Sequence, residues 1–191
     1  DTKLRLEIAA ESVEALLALA SLSATPQALV QRRIYFDTPA RTLFAAGIVL
    51  SIHEAGGHHT QTVKAGTPGN GPFARQEWDM PVGGNRPVLD GFATLFSEAG
   101  AQLQEIVPLF ELRTHRLLWT VAEDGALIEV ALDRGEIRAG AAVDPIREVE
   151  FELLGGSPQA LFAVARQLIG DIPADLSIPN KAARGVALAD G

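Results

Sequence analysis

Several segments of this 191-residue chain set charged side chains on one phase of an alternating pattern. Across Arg147–Leu153, Glu148, Glu150 and Glu152 share one phase, with Arg147 beside them, and Val149, Phe151 and Leu153 share the other. Glu129 alternates against Ile128 and Val130; Arg75, Glu77 and Asp79 fall together; Asp1, Lys3, Arg5 and Glu7 oppose Leu4, Leu6 and Ile8. In an extended strand successive side chains point to opposite faces, so each set lies on one face. Carboxylate oxygens are the ligands that hard divalent cations such as magnesium prefer. Arginine and lysine hold phosphate oxygens. Strand faces carrying both signs can hold a metal and an anion together, and phosphoryl transfer needs both. For any single strand a solvated polar face is the simpler reading; recurrence on strand after strand supports the chemical one.

Those faces need a scaffold. The pattern predicts a helix over 12–20, a short strand at 34–36, and a helix over 40–46 with Thr38 as N-cap, Pro39 at its first position and Gly47 past its end. Strands are expected at 48–53 and 59–64 around a Gly56-Gly57 hairpin turn, followed by a Gly/Pro-rich loop over 65–72 and a strand at 75–82. A second helix is expected over 87–99, an extended segment over 109–121, a turn at 123–125 and a strand at 127–132. Asp133-Arg134-Gly135 reads as a turn, after which 136–138 continues. A third helix opens at Ser157-Pro158 and closes at Gly170, and a short one is expected over 180–184. No repeat, low-complexity tract or linker interrupts the chain, which predicts a single α+β domain over 1–191 with a largely antiparallel sheet. If that sheet closes into a barrel, its apolar face meets the helices and its polar face lines a lumen.

Composition narrows the classes. Hydrophobic residues at 47% and charged residues at 21% suit a globular domain. A formal net charge of −8 argues against a nucleic-acid partner. There is no uninterrupted apolar run of membrane-spanning length, no basic-then-apolar leader and no cysteine, which together point to a cytoplasmic setting without a membrane partner. Thirteen Arg stand against three Lys, Lys3, Lys64 and Lys181; a GC-rich genome explains that ratio as well as function does, so only placement can give it meaning. His58-His59 reads as a hairpin tip and His115 as out of phase with Arg116. Trp78, Trp119, Tyr35 and Phe36 read as packing, and no Gly-rich nucleotide loop is present.

The ordered motifs Ile-Tyr-Phe-Asp-Thr-Pro at 34–39, Thr-Val-Lys at 62–64, Arg-Gln-Glu-Trp at 75–78, Pro-Leu-Phe at 108–110, Arg116 with Trp119, Ile-Glu-Val-Ala-Leu-Asp-Arg-Gly-Glu at 128–136, Glu-Val-Glu-Phe-Glu-Leu at 148–153 and Asn-Lys-Ala-Ala-Arg-Gly at 180–185 run nearly end to end. In this set the chain resembles the CYTH superfamily, the triphosphate tunnel metalloenzymes, and within it the bacterial inorganic triphosphatases. The resemblance implies a closed antiparallel β-barrel of about eight strands forming a polar tunnel with helices outside. It implies hydrolysis of inorganic triphosphate or a related polyphosphate with Mg2+ or Mn2+. Carried over residue by residue, Glu77, Glu129, Glu148 and Glu150 hold the metal, with Asp133 and Glu136 beside that pattern. Arg5, Lys64, Arg75, Arg116, Lys181 and Arg184 bind the substrate, with Arg113 and His53 as further cations. Glu148, Glu150 and Arg116 are the expected catalytic set. Lys64, Arg75, Glu77, Arg116, Glu129, Glu148 and Glu150 are all expected to face one cavity. In that branch a helical CHAD domain often follows the module, so such a domain is an expected partner in a longer chain.

Two departures bear on competence. The family opens on Glu-x-Glu-x-Lys. The register set by Val13-Glu-Ala-Leu places Asp1, Lys3 and Arg5 there, and a register two residues later places Asp1 and Lys3 at the second Glu and the Lys; the first needs no insertion. The family's Arg-x-Arg on the strand after Gly47 reads Ser51-Ile52-His53. These changes keep two other readings open: a polyphosphate-binding tunnel without catalysis, and, within the fold, an adenylate cyclase or thiamine triphosphatase.

Overall fold

The computed structural model describes residues 2–19, 22, 24–66, 75–123, 125–176 and 180–191. Asp1, Asp124 of the turn expected at 123–125, and most of the loop expected over 65–72 lie outside the described residues, as do the side chains of Arg75 and Glu123. In chain order the elements are β1 (Lys3–Ile8), α1 (Ser12–Leu17), β2 (Gln27–Asp37), α2 (Thr42–Ala45), β3 (Ile48–Ala55), β4 (His58–Gly66), β5 (Arg75–Val82), α3 (Ala93–Glu98), β6 (Val107–Glu123), β7 (Ala126–Ala139), β8 (Ala142–Gly155), α4 (Pro158–Ile169), β9 (Ala174–Leu176) and α5 (Lys181–Asp190). The α+β class is as expected. The strands form a nine-stranded antiparallel sheet ordered β5-β4-β3-β2-β6-β7-β8-β1-β9. Among the described residues the ladder ends at β5 and at β9 and does not return on itself, so hydrogen bonding does not close the expected barrel of about eight strands.

The chain divides into two compact units, to each of which the long strands β6, β7 and β8 contribute residues. The first comprises residues 1–30, 114–135 and 145–180. Its apolar core joins Ile8, Val13, Leu16, Trp119, Ile128, Val130, Leu132, Val149 and Phe151 to the stripe Leu161, Val164, Ala165 and Leu168 of α4. That stripe has the i, i+3, i+4, i+7 spacing of a helix buried on one face. Each fully buried side chain of this size contributes about 1.5–3 kcal/mol. Ser157 caps α4 by accepting a hydrogen bond from the Ala160 amide at 3.2 Å, and Gly170 ends it at φ 51°. Trp119 is packed as expected, and its indole N–H donates to the Ala24 carbonyl at 3.1 Å. β1 pairs with β8 so that Lys3 faces Glu152, Arg5 faces Glu150 and Glu7 faces Glu148.

The second unit comprises residues 31–113, 136–144 and 181–191. β3 and β4 form the expected hairpin, and Gly56 and Gly57, at φ 57° and 80°, provide a turn whose two central residues both need the left-handed region. Ile34, Phe36, Leu43, Leu50, Ile52, Val63 and Phe96 form its core.

Three local expectations are corrected here. The helix expected over 40–46 spans only Thr42–Ala45. Arg41, at φ 62°, holds the N-cap position rather than Thr38, but the Thr38 hydroxyl does accept the Thr42 amide at 3.1 Å, and the buried Asp37 carboxylate accepts the amides of Thr38, Leu43 and Phe44 at 2.6, 2.8 and 2.9 Å. The helix expected over 87–99 is α3 preceded by a single 3-10 turn. Buried Gln61 takes both backbone groups of Val88, donating to its carbonyl at 2.9 Å and accepting its amide at 2.7 Å, so Val88 has none left for a helix. Asp133-Arg134-Gly135 is not a turn but the middle of β7, which runs unbroken through it.

Candidate functional site

The Asp133 position matters because its strand phase aims a carboxylate where two others arrive. In the first unit, carboxylate oxygens of Asp133, Glu148 and Glu150 all lie within 4.8 Å of one another. They are 1%, 0% and 7% exposed. The polar phase of β8 is therefore not a solvated face at Glu148 and Glu150, and buried carboxylates persist only when something compensates them. Arg116 of β6 supplies part of that compensation. Its Nε and Nη2 donate to the two Asp133 oxygens at 2.7 Å each, and Nη2 also donates to Glu150 Oε2 at 3.0 Å. Burial works against the Arg116 charge, yet the hydrogen bonds and charges of Asp133 and then Glu150 outweigh it and hold its proton more tightly than usual. Three buried carboxylates gather here, and Arg116 is bound to two of them, Asp133 and Glu150. All-oxygen donors at this spacing are the chemistry that Mg2+ or Mn2+ takes.

Around this group, Arg5 stands directly across from Glu150, and Lys3 binds Glu152 at 2.9 Å. Glu129 lies four residues before Asp133, on the same face of β7, and is half-buried outside the three-carboxylate group.

In the second unit, Lys64 and Glu77 are cross-strand partners and bind each other at 3.0 Å. Ser51 is 2% exposed and pairs with Thr62, whose hydroxyl donates to Asp79 at 2.6 Å. His53 lies between Arg33 and Thr60 in the ladder. Arg184 of α5 donates to Asp144 from Nε at 2.9 Å, and Lys181, one turn before it, is half-buried. Arg113 is on the opposite phase of β6 from Arg116; its side chain is 60% exposed and bound to Glu111. The Arg75 backbone is part of β5, and its side chain lies outside the description.

A family model described as the CYTH domain matches residues 2–185. The chain belongs to the CYTH family. An inorganic triphosphatase from Haemophilus influenzae is 31% identical to it over 156 residues, which is 81% of this chain and 44% of that protein. The chain thus spans less than half the length of that relative. Among solved structures, a protein from Hippeastrum described as a candidate adenylyl cyclase with a dominant triphosphatase activity aligns with a TM-score of 0.67 at 17% identity, covering 97% of this chain and 94% of that one. A candidate adenylate cyclase from Bacillus halodurans aligns with a TM-score of 0.65 at 16% identity over 96% of each chain. At these identities the likeness is one of fold.

Within this CYTH chain, sequence reasoning underrated Asp133 because Asp-Arg-Gly is turn chemistry. Its even spacing from Glu129 was the available signal, since a strand continuing past Leu132 puts both on one face.

Proposed function

We propose that this chain carries a metal-dependent phosphohydrolase site that cleaves the terminal phosphoanhydride of inorganic triphosphate or a related polyphosphate. The observation that carries the reading is the buried group of Asp133, Glu148 and Glu150 with Arg116 bound across it. The similarity to an inorganic triphosphatase at 31% identity supports the substrate class. Asp133, Glu148 and Glu150 are the residues that would hold Mg2+ or Mn2+, with Glu129 and Glu77 as further carboxylates of the proposed set. The ion, when bound, supplies charge neutralisation for the phosphate oxygens and polarisation of a phosphorus centre.

The chain's own part is to position and to stabilise. Arg116 keeps its charge in a buried setting and can stabilise negative charge as it spreads over the transferring phosphoryl group. Arg5, Lys64, Arg75, Lys181 and Arg184 are the proposed substrate-binding cations, with His53 beside them. Arg113, exposed and engaged by Glu111, is the weakest of the proposed set. Water attacks the terminal phosphorus, the bridging P–O bond breaks, and the products are orthophosphate and a chain one phosphate shorter.

The test is phosphate release from tripolyphosphate, pyrophosphate and ATP, each with Mg2+ and with Mn2+, by wild type and Glu150→Gln. Tripolyphosphate is expected to be the best substrate, and Glu150→Gln to fold but lose turnover by orders of magnitude. Near-normal turnover by Glu150→Gln at saturating Mg2+ overturns the assignment of the carboxylates. Binding of tripolyphosphate without phosphate release would leave a polyanion-binding module, and a cyclic nucleotide product from ATP would point to a cyclase.

A further inference from the structure

The polar face of the second unit contains a guanidinium that the sequence motifs do not single out. Arg32 and Arg33 are adjacent on β2 and therefore point to opposite faces. Arg32 is consumed by carboxylates: it donates to Glu111 from Nε at 2.8 Å and lies 3.8 Å from Glu54. Arg33 is half-buried and, among the described residues, has no carboxylate within ion-pairing distance. Its Nη1 donates instead to the Ser51 hydroxyl at 3.1 Å.

That hydroxyl belongs to the 2%-exposed Ser51, which sits across from Tyr35 and Thr62 in the ladder, and Arg33 itself stands directly across from His53. A neutral hydroxyl can orient a guanidinium without neutralising it. Arginine has five N–H donors, so one bond to Ser51 leaves the rest of the fork open to a further acceptor such as a phosphate oxygen. Three other cations of this unit's proposed set face carboxylates instead: Lys64 is bound to Glu77, Arg113 to Glu111 and Arg184 to Asp144.

We infer that Arg33, seated on the buried Ser51 hydroxyl, is a phosphate-binding residue on the polar face of the second unit, supplying from β2 a fixed positive charge that the Ser51 hydroxyl cannot supply from β3. The inference rests on the proposed triphosphate reading and adds to it a residue for binding the substrate. It also gives the Ser51 and His53 departures a physical sense. The cross-strand register puts the β2 position 33 beside both of them, so a guanidinium long enough to cross one strand spacing reaches the same patch of the sheet from the neighbouring strand.

The test compares wild type with Arg33→Gln, Arg33→Lys and Arg32→Gln, together with an Arg33→Gln/Ser51→Arg double variant. Tripolyphosphate binding is read by calorimetry at fixed salt, KM and kcat by phosphate release, and folding by thermal melting. Losing a charge-assisted contact to phosphate should weaken binding about tenfold to a hundredfold in Arg33→Gln and raise KM by a similar factor. Arg33→Lys, a point charge without the fork, should fall between, and the double variant should regain most of the lost affinity by returning the charge to β3. Arg32→Gln should bind as wild type does, even where its melting temperature drops.

Equal affinity in wild type and folded Arg33→Gln overturns the inference and leaves the triphosphate reading standing. A loss in Arg33→Gln that the double variant does not restore, accompanied by lowered melting temperature, assigns Arg33 a structural role and also overturns it. If wild type itself neither binds nor hydrolyses tripolyphosphate, the underlying reading fails first and takes this one with it. Should Arg33→Gln not fold, Arg33→Lys decides: wild-type affinity in that variant at several salt concentrations overturns the need for the arginine fork.

Discussion

Asp133→Asn keeps the shape of the side chain and removes its charge, which makes it the sharpest probe of the carboxylate group. Two effects are expected, and they can be separated. The first is structural. Asp133 accepts two hydrogen bonds from Arg116 at 2.7 Å and is 1% exposed, so neutralising it breaks a buried bidentate pair. Removing one partner of such a pair costs about 3–5 kcal/mol when the other charge is left alone. Here Arg116 still reaches Glu150 at 3.0 Å, which places the loss below that range, at about 2–3 kcal/mol. For a chain of this length that is a fall of about 4–12 °C in the melting temperature.

The second effect is on the cation. The group loses one negative charge, and the donor set goes from three carboxylates to two. At about 4 Å and an effective dielectric of about 20, one charge against another is worth roughly 4 kcal/mol, and two for a divalent ion roughly twice that, before solvent and the freed Arg116 offset most of it. A net tenfold to hundredfold weakening, about 1.4–2.8 kcal/mol, is the expected remainder. The assay is calorimetric titration of Mn2+ into wild type and Asp133→Asn, with circular dichroism on both to establish that the variant is folded at the titration temperature. Unchanged Mn2+ affinity in folded Asp133→Asn, with affinity lost instead in Glu129→Gln, would refute the assignment of Asp133 and return the metal to the set read from sequence. Absence of Mn2+ binding by wild type would reduce the group to a structural Arg–carboxylate network.

Three further outcomes follow from packing, capping and charge. Gly185 of α5 lies against Phe110, and a Cβ there would collide with the edge of the ring, which stacks on Tyr35 at a centroid distance of 4.6 Å; Gly185→Ala should cost about 3 kcal/mol and lower the melting temperature by about 6–12 °C in a thermal scan. Asp37→Ala leaves the amides of Thr38, Leu43 and Phe44 without their acceptor and should cost about 2–4 kcal/mol by urea denaturation, whereas Thr38→Ala should cost less. Burial alone would raise the Glu111 carboxyl, but the hydrogen bonds and charges of Arg32 and Arg113 outweigh it and hold the group below its usual range. Its folded pKa is thus lower than its unfolded one, so its contribution is complete above about pH 4.3 and is lost as pH falls through the folded value; acid unfolding followed by fluorescence should be steeper in wild type below that pH than in Glu111→Gln.

Much of this molecule is legible without coordinates wherever burial imposes a period. The split of Glu148 and Glu150 from Val149 and Phe151 follows from alternation alone, because a strand packed on α4 must send its apolar phase to the core. The Ser157-Pro158 opening and Gly170 close of α4, and the Gly56-Gly57 hairpin, are likewise local facts, since capping and positive φ depend on the residues themselves. The CYTH membership was legible as an ordered series of motifs and is borne out over residues 2–185.

What failed were the places where a long-range partner overrides local chemistry. Asp133-Arg134-Gly135 has turn composition, but Arg116 binds Asp133 from seventeen positions away and β7 runs straight on. Val88 and its neighbours have a helical pattern, but Gln61 of β4 occupies the Val88 backbone. Arg32 and Arg33 are indistinguishable as a dipeptide. Only the fold assigns Glu111 to one and Ser51 to the other, because ion pairing is decided by which strands lie side by side and in what register. Period and local propensity are properties of the chain; the partner of a buried charge is a property of the sheet.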